Sequence, residues 1–440
     1  MKRNDFANKK ASEIIEVLST NPGNSITSVF DQASDNTEGK YILIKDIHNN
    51  TMMPATMASE MLLNYKSCYN ATIIDNLIKD GYSIVGSTNL DEYAMGSTTK
   101  TSFFGPVDNA LGHQYVSGGS SGGSAFAIAK GLVPFATGTD TGGSIRQPAA
   151  FNGIYGLKPT YGLVSRYGTI AFASSFDTIG PMTSDLYENA SLLNTLASND
   201  YKDQTNFVPE GFDALKTFNQ PIRGMKIGVM RKWLESGIAE EIKGAIENKI
   251  ELLKSLGVEI IDVDVPLTKY SFSLYITLAY AEGSSNLNRY DGMRFGLKMD
   301  DTNPTYEAVR SHFGTEVKKR LIIGTYMLSS EHSIKYFKKA QQLRQLMCEQ
   351  FDQVFDQVDC IIGPTTPQLA FDANKGMSEM DNYLSDEFII PANLVGFPSL
   401  NIPIGTANDG RFIGMQLMAN KYQEAVLYQV ANNLEGGSDV

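Results

Sequence analysis

Residues 117–146 read SGGSSGGSAFAIAKGLVPFATGTDTGGSIR and contain two turns rich in glycine and serine, each beside a segment with a regular apolar pattern. SAFAIAKGL predicts a helix of small residues, and VPFATGT predicts a buried strand directly after it. The second turn, TDTGGS, is too polar for a strand centre and too rich in glycine for a helix. Such a turn leaves bare backbone N–H groups that can face a ligand or a reacting atom.

Strands and helices alternate on both sides of this stretch. Upstream, YILIKDI and SIVGST read as buried strands with a helix between them, and downstream the segment 225–265 reads as a strand–helix–strand unit. The other predicted elements are helices at 11–18, 332–358 and 423–435 and strands at 360–367, 399–405 and 412–419. This alternation predicts an α/β fold, with a single large mixed, mostly parallel β-sheet covered by helices on both faces.

The chain divides into two parts in this interpretation. Residues 1–40 are predicted to form an N-terminal helical segment, and residues 41–440 a single domain. The most polar stretch, residues 199–220, is expected to be a surface excursion, because strand–helix units resume directly after it.

Composition and charge narrow the classes of function. The 440 residues carry a formal net charge of −12, so their totals offer no excess of positive charge for binding nucleic-acid phosphates. Three cysteines and four histidines are scattered, which predicts a reducing compartment and no metal site. No apolar run is long enough to span a membrane. The start, MKRNDFANKK, lacks the apolar core of a secretory signal and resembles an organelle transit peptide only weakly, so secretion is not expected.

The two turns are compatible with three kinds of chemistry. Glycines ahead of a helix can bind a phosphate, but neither the GK[ST] of a P-loop nor a GxGxxG is present. GGSSG and GSSGG match the nucleophile-elbow pattern, but the preceding LGHQYVS is a poor strand, and the available bases His312 and His332 lie in helix-like polar sequence. The third kind is a serine nucleophile with a lysine base, which has to be neutral and therefore desolvated.

Lys45 is the candidate for such a base, because Tyr-Ile-Leu-Ile-Lys is the most apolar setting of any lysine in the chain. Asp46 follows it, but successive side chains of a strand point to opposite faces, so Asp46 need not hold Lys45 protonated. On spacing alone, the favoured interpretation of a lone strand lysine is still a solvent-facing residue on an edge strand.

Three motifs together resemble the amidase signature family: ILIKD around Lys45, GGSSGGS at 118–124 and GTDTGGSIRQPA at 138–149. The resemblance runs from residue 41 to the last helix and implies the family's fold. It implies that Ser144 is the nucleophile and that Ser120, in a cis peptide, relays the proton of Ser144 to Lys45. The backbone N–H groups implied to form an oxyanion hole are those of Thr141, Gly142, Gly143 and Ser144.

Within that family the sequence is most similar to the A subunits of aspartyl/glutamyl-tRNA amidotransferases, which are glutaminases. NLDEYAMGSTT at 89–99 resembles their DEFAMGSS stretch. Carried over by position, Arg320 binds the α-carboxylate of glutamine, Asp386 binds its α-ammonium group, and Tyr275 lines the pocket. The implied role is glutamine hydrolysis that supplies ammonia for converting Glu-tRNA(Gln) to Gln-tRNA(Gln). A stand-alone amidase for another small amide is the alternative.

The same resemblance implies partners and a compartment. We expect a B subunit that holds Glu-tRNA(Gln), ATP and Mg²⁺, and a small third subunit, while this chain itself needs no metal or cofactor. The sequence departs from the family pattern at Ser87 and His48-Asn49, and the segment ahead of the lysine strand is short. The short N-terminus suggests an organellar version in the mitochondrial matrix, with a bacterial-type cytoplasmic enzyme as the alternative.

Overall fold

The computed structural model describes residues 3–235, 237–375 and 386–436. The strands of these residues are β1 (Ile26–Val29), β2 (Tyr41–Lys45), β3 (Ser83–Thr88), β4 (Asp108–Asn109), β5 (Gly112–Val116), β6 (Phe135–Asp140), β7 (Tyr155–Lys158), β8 (Thr178–Thr183), β9 (Lys226–Met230), β10 (Glu259–Val263), β11 (Cys360–Pro364), β12 (Ser399–Thr406) and β13 (Phe412–Met418).

The α-helices of the same residues vary from five to 17 residues in length. They are α1 (Ala11–Ser19), α2 (Thr72–Lys79), α3 (Gly122–Ala129), α4 (Arg146–Asn152), α5 (Leu186–Leu196), α6 (Glu240–Ser255), α7 (Ser271–Asn286), α8 (Tyr306–Arg310), α9 (Thr315–Leu328), α10 (Lys339–Phe355), α11 (Ile390–Val395) and α12 (Glu424–Leu434). The long helix predicted at 332–358 begins with a π-helical turn at Ser333–Lys338 and continues as α10.

Eleven of the described strands form one mixed sheet in the order β1-β3-β2-β6-β8-β7-β12-β13-β11-β9-β10, while β4 and β5 form a separate hairpin. The single mixed sheet is confirmed. Its parallel pairs are β2–β3, β2–β6, β9–β10 and β9–β11, and its antiparallel pairs are β1–β3, β6–β8, β7–β8, β7–β12, β12–β13 and β11–β13. Parallel pairs are therefore fewer than antiparallel pairs, whereas a mostly parallel sheet was predicted. The sequence pattern reveals strand–helix units, but it does not reveal the β12–β13 hairpin or the long-range pairings in the middle of the sheet.

Helices cover both faces of this sheet, as predicted, and each face has its own hydrophobic core. Ile42 and Ile44 of β2 belong to the core on one face, which also contains residues of α2, α5, α6 and α12. Leu43, between them, packs with α1, α3 and α4 on the other face. Farther along the same second face, Ile361 of β11 packs with α7, α9, α10 and α11.

The first 40 residues contribute to the sheet as well as a helix. α1 buries Ile14 and Leu18, and the following β1 pairs antiparallel with β3 to form one edge of the sheet. The segment is thus partly β-structure, because Ile26 and its neighbours complete an edge that would otherwise expose unpaired backbone groups. The domain boundary at residue 40 stays a prediction. The polar stretch 199–220 contains neither α-helix nor strand, and β9 follows it.

Two neighbouring parallel strands place the key motifs at one edge of the sheet. β2 ends at Lys45 and β6 ends at Asp140, and these strands pair in parallel, so their carboxyl ends meet. The first glycine-rich turn leads into α3, and the second, which follows Asp140, leads into α4. Both turns therefore lie close to Lys45.

Candidate active site

Lys45 is completely buried, on a strand that lies between β3 and β6. Its Nζ atom lies 2.8 Å from Ser120 Oγ, 2.9 Å from Ser121 Oγ and 2.8 Å from Thr139 Oγ1. The alternative of a solvent-facing lysine on an edge strand is therefore wrong. Three hydroxyl groups from both glycine-rich motifs surround the amine.

The surroundings of Lys45 favour its neutral form. Burial lowers the pKa of Lys45 to about 7, although the negative charges of Asp91, Asp140 and Asp177 act in the opposite direction. An amine that loses its proton near neutral pH can accept a proton from a serine hydroxyl. The amine and Ser120 are thus arranged for proton transfer.

The first turn is held against the second. The Gly119–Ser120 peptide bond is cis, and Ser120 is fully buried. The Ser121 N–H donates to the backbone oxygen of Ser144 at 3.2 Å. The Ser121 hydroxyl also donates to the Thr139 carbonyl at 3.3 Å. These bonds join the turn before α3 to the end of β6 and to the turn before α4.

The second turn displays Ser144 and unused backbone donors. Ser144 is 8% exposed, and among the described residues no hydrogen bond joins its Oγ to Ser120 or Lys45. Within the same described part of the chain, the N–H groups of Thr141, Gly142 and Ser144 have no protein acceptor. The Gly143 N–H instead donates to Asp140 Oδ1 at 2.7 Å. The predicted oxyanion hole therefore needs correction at Gly143, because the Asp140 carboxylate occupies that donor.

Glycine is required at two positions of this turn. A Cβ atom on Gly142 would lie 2.7 Å from Cζ and 3.0 Å from the hydroxyl oxygen of Tyr275. Gly143 has φ +123°, and a Cβ there would lie 2.1 Å from Ile389 Cδ1. The glycines thus let the backbone approach the neighbouring side chains, and Tyr275 lies directly against the turn.

A buried ion pair between Arg146 and Asp140 holds the second turn in place. Arg146 Nε lies 3.0 Å from Asp140 Oδ2, and its Nη2 lies 3.1 Å from Oδ1 of the same carboxylate. Burial alone would raise the pKa of Asp140, but the Arg146 charge and hydrogen bonds lower it to about 2. Arg146 also donates to Ile389 O at 2.8 Å and to Asn393 Oδ1 at 2.7 Å, so the C-terminal part of the chain supports the turn.

Of the three predicted substrate-binding residues, Tyr275 lies against the turn, and Arg320 and Asp386 lie within electrostatic reach of Tyr275. Tyr275 is half-buried, and burial raises the pKa of its phenol while the Arg320 charge lowers it and the Asp386 charge raises it. Arg320 is 6% exposed, and its guanidinium lies 4.9 Å from the ring centre of Tyr280. Its Nε donates to Glu316 Oε1 at 2.8 Å. A cation and an anion thus lie within electrostatic reach of the tyrosine that contacts Gly142.

A cavity of about 250 Å³ lies behind the second turn. Its wall includes Thr139, which contacts Lys45, and Thr141, whose hydroxyl donates to Asp177 Oδ1 at 2.7 Å. Burial raises the pKa of Asp177 to about 6, against the hydrogen bond from Thr141. Residues 202–205 of the polar excursion form the far wall, so the cavity extends from the lysine site toward that segment.

The nucleophile-elbow alternative finds no support in the positions of its two candidate bases. His312 contacts Glu60 and Asn303, and the ring centre of His332 lies 4.0 Å from that of Tyr326, so each has contacts of its own. In the part of the chain that the structure describes, no cluster of His, Cys, Asp and Glu could hold a metal ion. No helix in those residues is long and apolar enough to cross a membrane.

Comparison with known proteins agrees with this geometry. Residues 38–428 match the family model described as Amidase. The chain belongs to the amidase family. One relative of this amidase-family chain is the A subunit of the glutamyl-tRNA(Gln) amidotransferase of Neisseria meningitidis, which is 44% identical over 402 residues that cover 90% of this chain and 84% of the relative.

Solved amidase structures share the fold over its whole length. The crystal structure of the A subunit of the glutamyl-tRNA(Gln) amidotransferase from Thermotoga maritima has a TM-score of 0.84 at 35% identity, and the match covers 100% of this chain and 97% of that one. The 6-aminohexanoate cyclic dimer hydrolase has a TM-score of 0.85 at 20% identity, with 100% of this chain and 94% of that one covered. The second likeness shows the fold alone.

Several residues of this amidase site were missed by the sequence interpretation. Asp140 and Arg146 stand inside the quoted motif, and their opposite charges were the available signal. Thr139 and Ser121 were hidden among other hydroxyl residues of the same motifs. No local pattern marks Asp177, which reaches the site only through the pairing of β8 with β6.

Proposed function

We propose that this chain is the glutaminase subunit of a tRNA-dependent amidotransferase. The observation that supports it best is the contact of Tyr275 with Gly142. The charges of Arg320 and Asp386 both act on the pKa of this tyrosine, so a positive and a negative group lie near it. A free amino acid carries one positive and one negative group on its α-carbon, so a binding site for it needs one fixed charge of each sign. The relatives named as A subunits of glutamyl-tRNA(Gln) amidotransferases support the same conclusion.

In the proposed reaction, Ser144 Oγ attacks the side-chain amide carbon of glutamine. Its proton passes through the Ser120 hydroxyl to neutral Lys45 and then to the leaving nitrogen, which departs as ammonia. The N–H groups of Thr141, Gly142 and Ser144 stabilise the oxyanion that forms on the carbonyl oxygen. Water then hydrolyses the glutamyl ester, which releases glutamate and restores Ser144.

The ammonia is delivered to a B subunit in this proposal. The cavity between Thr139 and residues 202–205 is a suitable start for its path, because Thr139, which contacts Lys45, forms part of its wall. The B subunit would hold Glu-tRNA(Gln), ATP and Mg²⁺, and a small third subunit would complete the complex. The compartment, whether mitochondrial matrix or bacterial-type cytoplasm, is part of the same proposal.

One observation favours the alternative of a stand-alone amidase. The Arg320 guanidinium already contacts the Glu316 carboxylate, which partly neutralises the charge that a glutamine α-carboxylate would need. Substrates without charged groups would then bind equally well. The two functions differ in what they require of Arg320.

The deciding experiment compares kcat/KM for glutamine and for a plain aliphatic amide. A glutaminase predicts that Arg320→Leu raises the KM for glutamine roughly 30- to several-thousand-fold, since removal of one member of a buried charge pair leaves the other uncompensated. Turnover of the plain amide should be poor and unchanged. Arg310→Leu is the matched control, because Arg310 also lies over aromatic rings, at Tyr306 and Phe313.

Two outcomes would decide against the proposal. If Arg320→Leu hydrolyses glutamine like the unmodified chain, the glutaminase role is excluded and the amidase role remains. If Ser144→Ala keeps near-normal hydrolysis of either amide, the serine mechanism itself is wrong.

A further inference from the structure

The Gly118–Ser120 turn, which carries Ser120 to Lys45, is held by side chains outside the predicted triad. Gln147 Oε1 accepts the Gly119 N–H at 2.9 Å, and Gln147 Nε2 donates to the Ser97 carbonyl at 3.0 Å. Gly118 has φ +79°, and a Cβ on it would lie 2.6 Å from Gln147 Oε1. The Gln147 amide is thus wedged between this turn and the 96–101 loop.

Asp91 contacts the same turn from another direction. Its backbone N–H donates to Ser120 O at 3.3 Å, and a Cβ on Gly119 would lie 2.1 Å from Asp91 Oδ2. The carboxylate accepts hydrogen bonds from the 96–101 loop: Oδ2 accepts the Thr99 N–H at 2.9 Å, and Oδ1 accepts the Thr101 hydroxyl at 2.8 Å. The Thr99 hydroxyl in turn donates to Gly118 O at 2.5 Å.

Both side chains are fully buried, so these contacts cannot be exchanged for solvent. Gln147 lies on α4, the helix that begins two residues after Ser144. The helix α4, which follows the predicted nucleophile Ser144, therefore also holds the turn that carries Ser120. A shift of this turn would move Ser120 Oγ away from Lys45 Nζ, which it now contacts at 2.8 Å.

We propose that Asp91 and Gln147 are positioning residues, which clamp the Gly118–Ser120 turn so that Ser120 stays between Lys45 and Ser144. The inference rests on the roles proposed for Lys45, Ser120 and Ser144, but not on the identity of the amide substrate. Among the described residues no hydrogen bond joins either side chain to Lys45 or Ser144, so their hold on the geometry of the site acts through Ser120.

Asp91 has a second effect, which a merely structural residue would not have. The charged groups that act on the pKa of Lys45 are the carboxylates of Asp91, Asp140 and Asp177, and the charge of Lys45 in turn lowers the pKa of the neighbouring His48. Among the carboxylates, Asp91 gives the largest increase in the pKa of Lys45. Removal of its charge should lower that pKa, so that Lys45 is neutral at lower pH.

The test measures how fast a fluorophosphonate probe labels Ser144 in the full chain, as a function of pH. Gln147→Met and Asp91→Asn conserve volume and remove the hydrogen bonds or the charge. Each should slow labelling about 10- to 100-fold, as expected for a displacement of catalytic groups by a fraction of an ångström or more. Asp91→Asn should also move the midpoint of the pH profile to lower pH, whereas Gln147→Met should leave the midpoint unchanged.

The matched controls are Gln429→Met and Glu424→Gln. Both residues are buried on α12. The Gln429 amide donates to Pro221 O, and the Glu424 carboxylate accepts the Thr160 N–H, so their hydrogen bonds are comparable to those of Gln147 and Asp91. They should label at the unmodified rate below their melting temperatures. The clamp is refuted if Gln147→Met or Asp91→Asn, folded by circular dichroism, labels as fast as its control.

The same experiment separates this inference from the proposed function. A chain that is labelled normally but does not hydrolyse glutamine would exclude the glutaminase role and leave the clamp standing. An unmodified chain that the probe does not label at Ser144 would overturn both.

Discussion

Lys45 is a basic residue at a position where its charge is destabilising. Its side chain is completely buried, and burial lowers its pKa to about 7 from an ordinary value of 10.5. Between those two pH values the unfolded chain binds a proton that the folded chain does not, so the free energy of unfolding increases as pH rises from 7 to 10.5. Catalysis gains a neutral amine, and the fold loses stability at neutral pH.

Lys45→Met should therefore abolish amide hydrolysis and at the same time raise the melting temperature at pH 7. Methionine fills a similar volume without a charge to desolvate. The increase of stability between pH 7 and 10.5 should also disappear in the variant. Thermal unfolding across this pH range, together with glutamine hydrolysis, measures both effects.

Lys45→Arg is the informative companion to that variant. The guanidinium keeps its proton, so the variant should be as inactive as Lys45→Met and less stable than the unmodified chain. Retained activity in Lys45→Arg, or a lower melting temperature in Lys45→Met, would contradict a neutral lysine. In the unmodified chain, activity should rise with pH through about 7.

The conformation of the turn between β6 and α4 depends on glycines, which have no side chain. Asp140 at the end of β6 accepts the Gly143 N–H, whereas the N–H groups of Thr141, Gly142 and Ser144 have no acceptor among the described residues. Tyr275 lies where a side chain on Gly142 would be. Backbone conformation and a neighbouring ring, more than side-chain chemistry, define the donors of this turn.

Gly142→Ala should lower kcat/KM for glutamine about 100- to 1,000-fold, comparable to the loss of one oxyanion donor. The new methyl group would lie 2.7 Å from Tyr275 Cζ, so either the ring or the donor has to move. Gly244→Ala on α6 is the control, because nothing lies within 4 Å of a Cβ there. Steady-state kinetics with glutamine on both variants measures the difference. Equal activities of the two variants would exclude a tight contact between Gly142 and Tyr275.

The sequence predicted those elements whose evidence is local. The apolar runs of β2, β3 and β6 and the glycines of both turns stand in the chain as short patterns, and Lys45, Ser120 and Ser144 lie on them. The antiparallel pairing of β7 with β12 joins segments more than 240 residues apart, so no local pattern could reveal it. The Gly143–Asp140 bond was missed because the sequence cannot show which turn donor points inward.

At the scale of the whole molecule, one buried ion pair links the second glycine-rich turn to the C-terminal part of the chain. Arg146 pairs with Asp140 and also donates to Ile389 and Asn393, which flank and form α11. Both charged side chains are fully buried. A buried pair of this kind adds little net stability over an apolar pair, but removal of one partner leaves an uncompensated charge in the interior.

Arg146→Met should lower the free energy of unfolding by about 3–5 kcal/mol. The Asp140 pKa, now about 2, lies below its ordinary value of 3.8, so the pair contributes stability above pH 4 that is lost as pH falls toward 2. In the variant, burial without the Arg146 charge should raise the Asp140 pKa, so this loss of stability toward pH 2 should shrink or reverse. Urea unfolding at several pH values measures both changes.

The double variant Asp140→Asn/Arg146→Met provides the control for that prediction. It removes the unpaired charge and should recover part of the lost stability, because residues in contact are not additive in their effects. If Arg146→Met were as stable as the unmodified chain, the ion pair would not support the fold.

The strand order also has a consequence for how the protein is made. β12 and β13, residues 399–418, lie inside the sheet, between β7 and β11. A ribosome therefore has to release residues 1–418 before the middle of the sheet can close, and the Arg146–Asn393 hydrogen bond cannot form before residue 393 emerges. During synthesis the edges of β7 and β11 stay unpaired, so a nascent chain is inactive and depends on protection from aggregation until its last segment emerges.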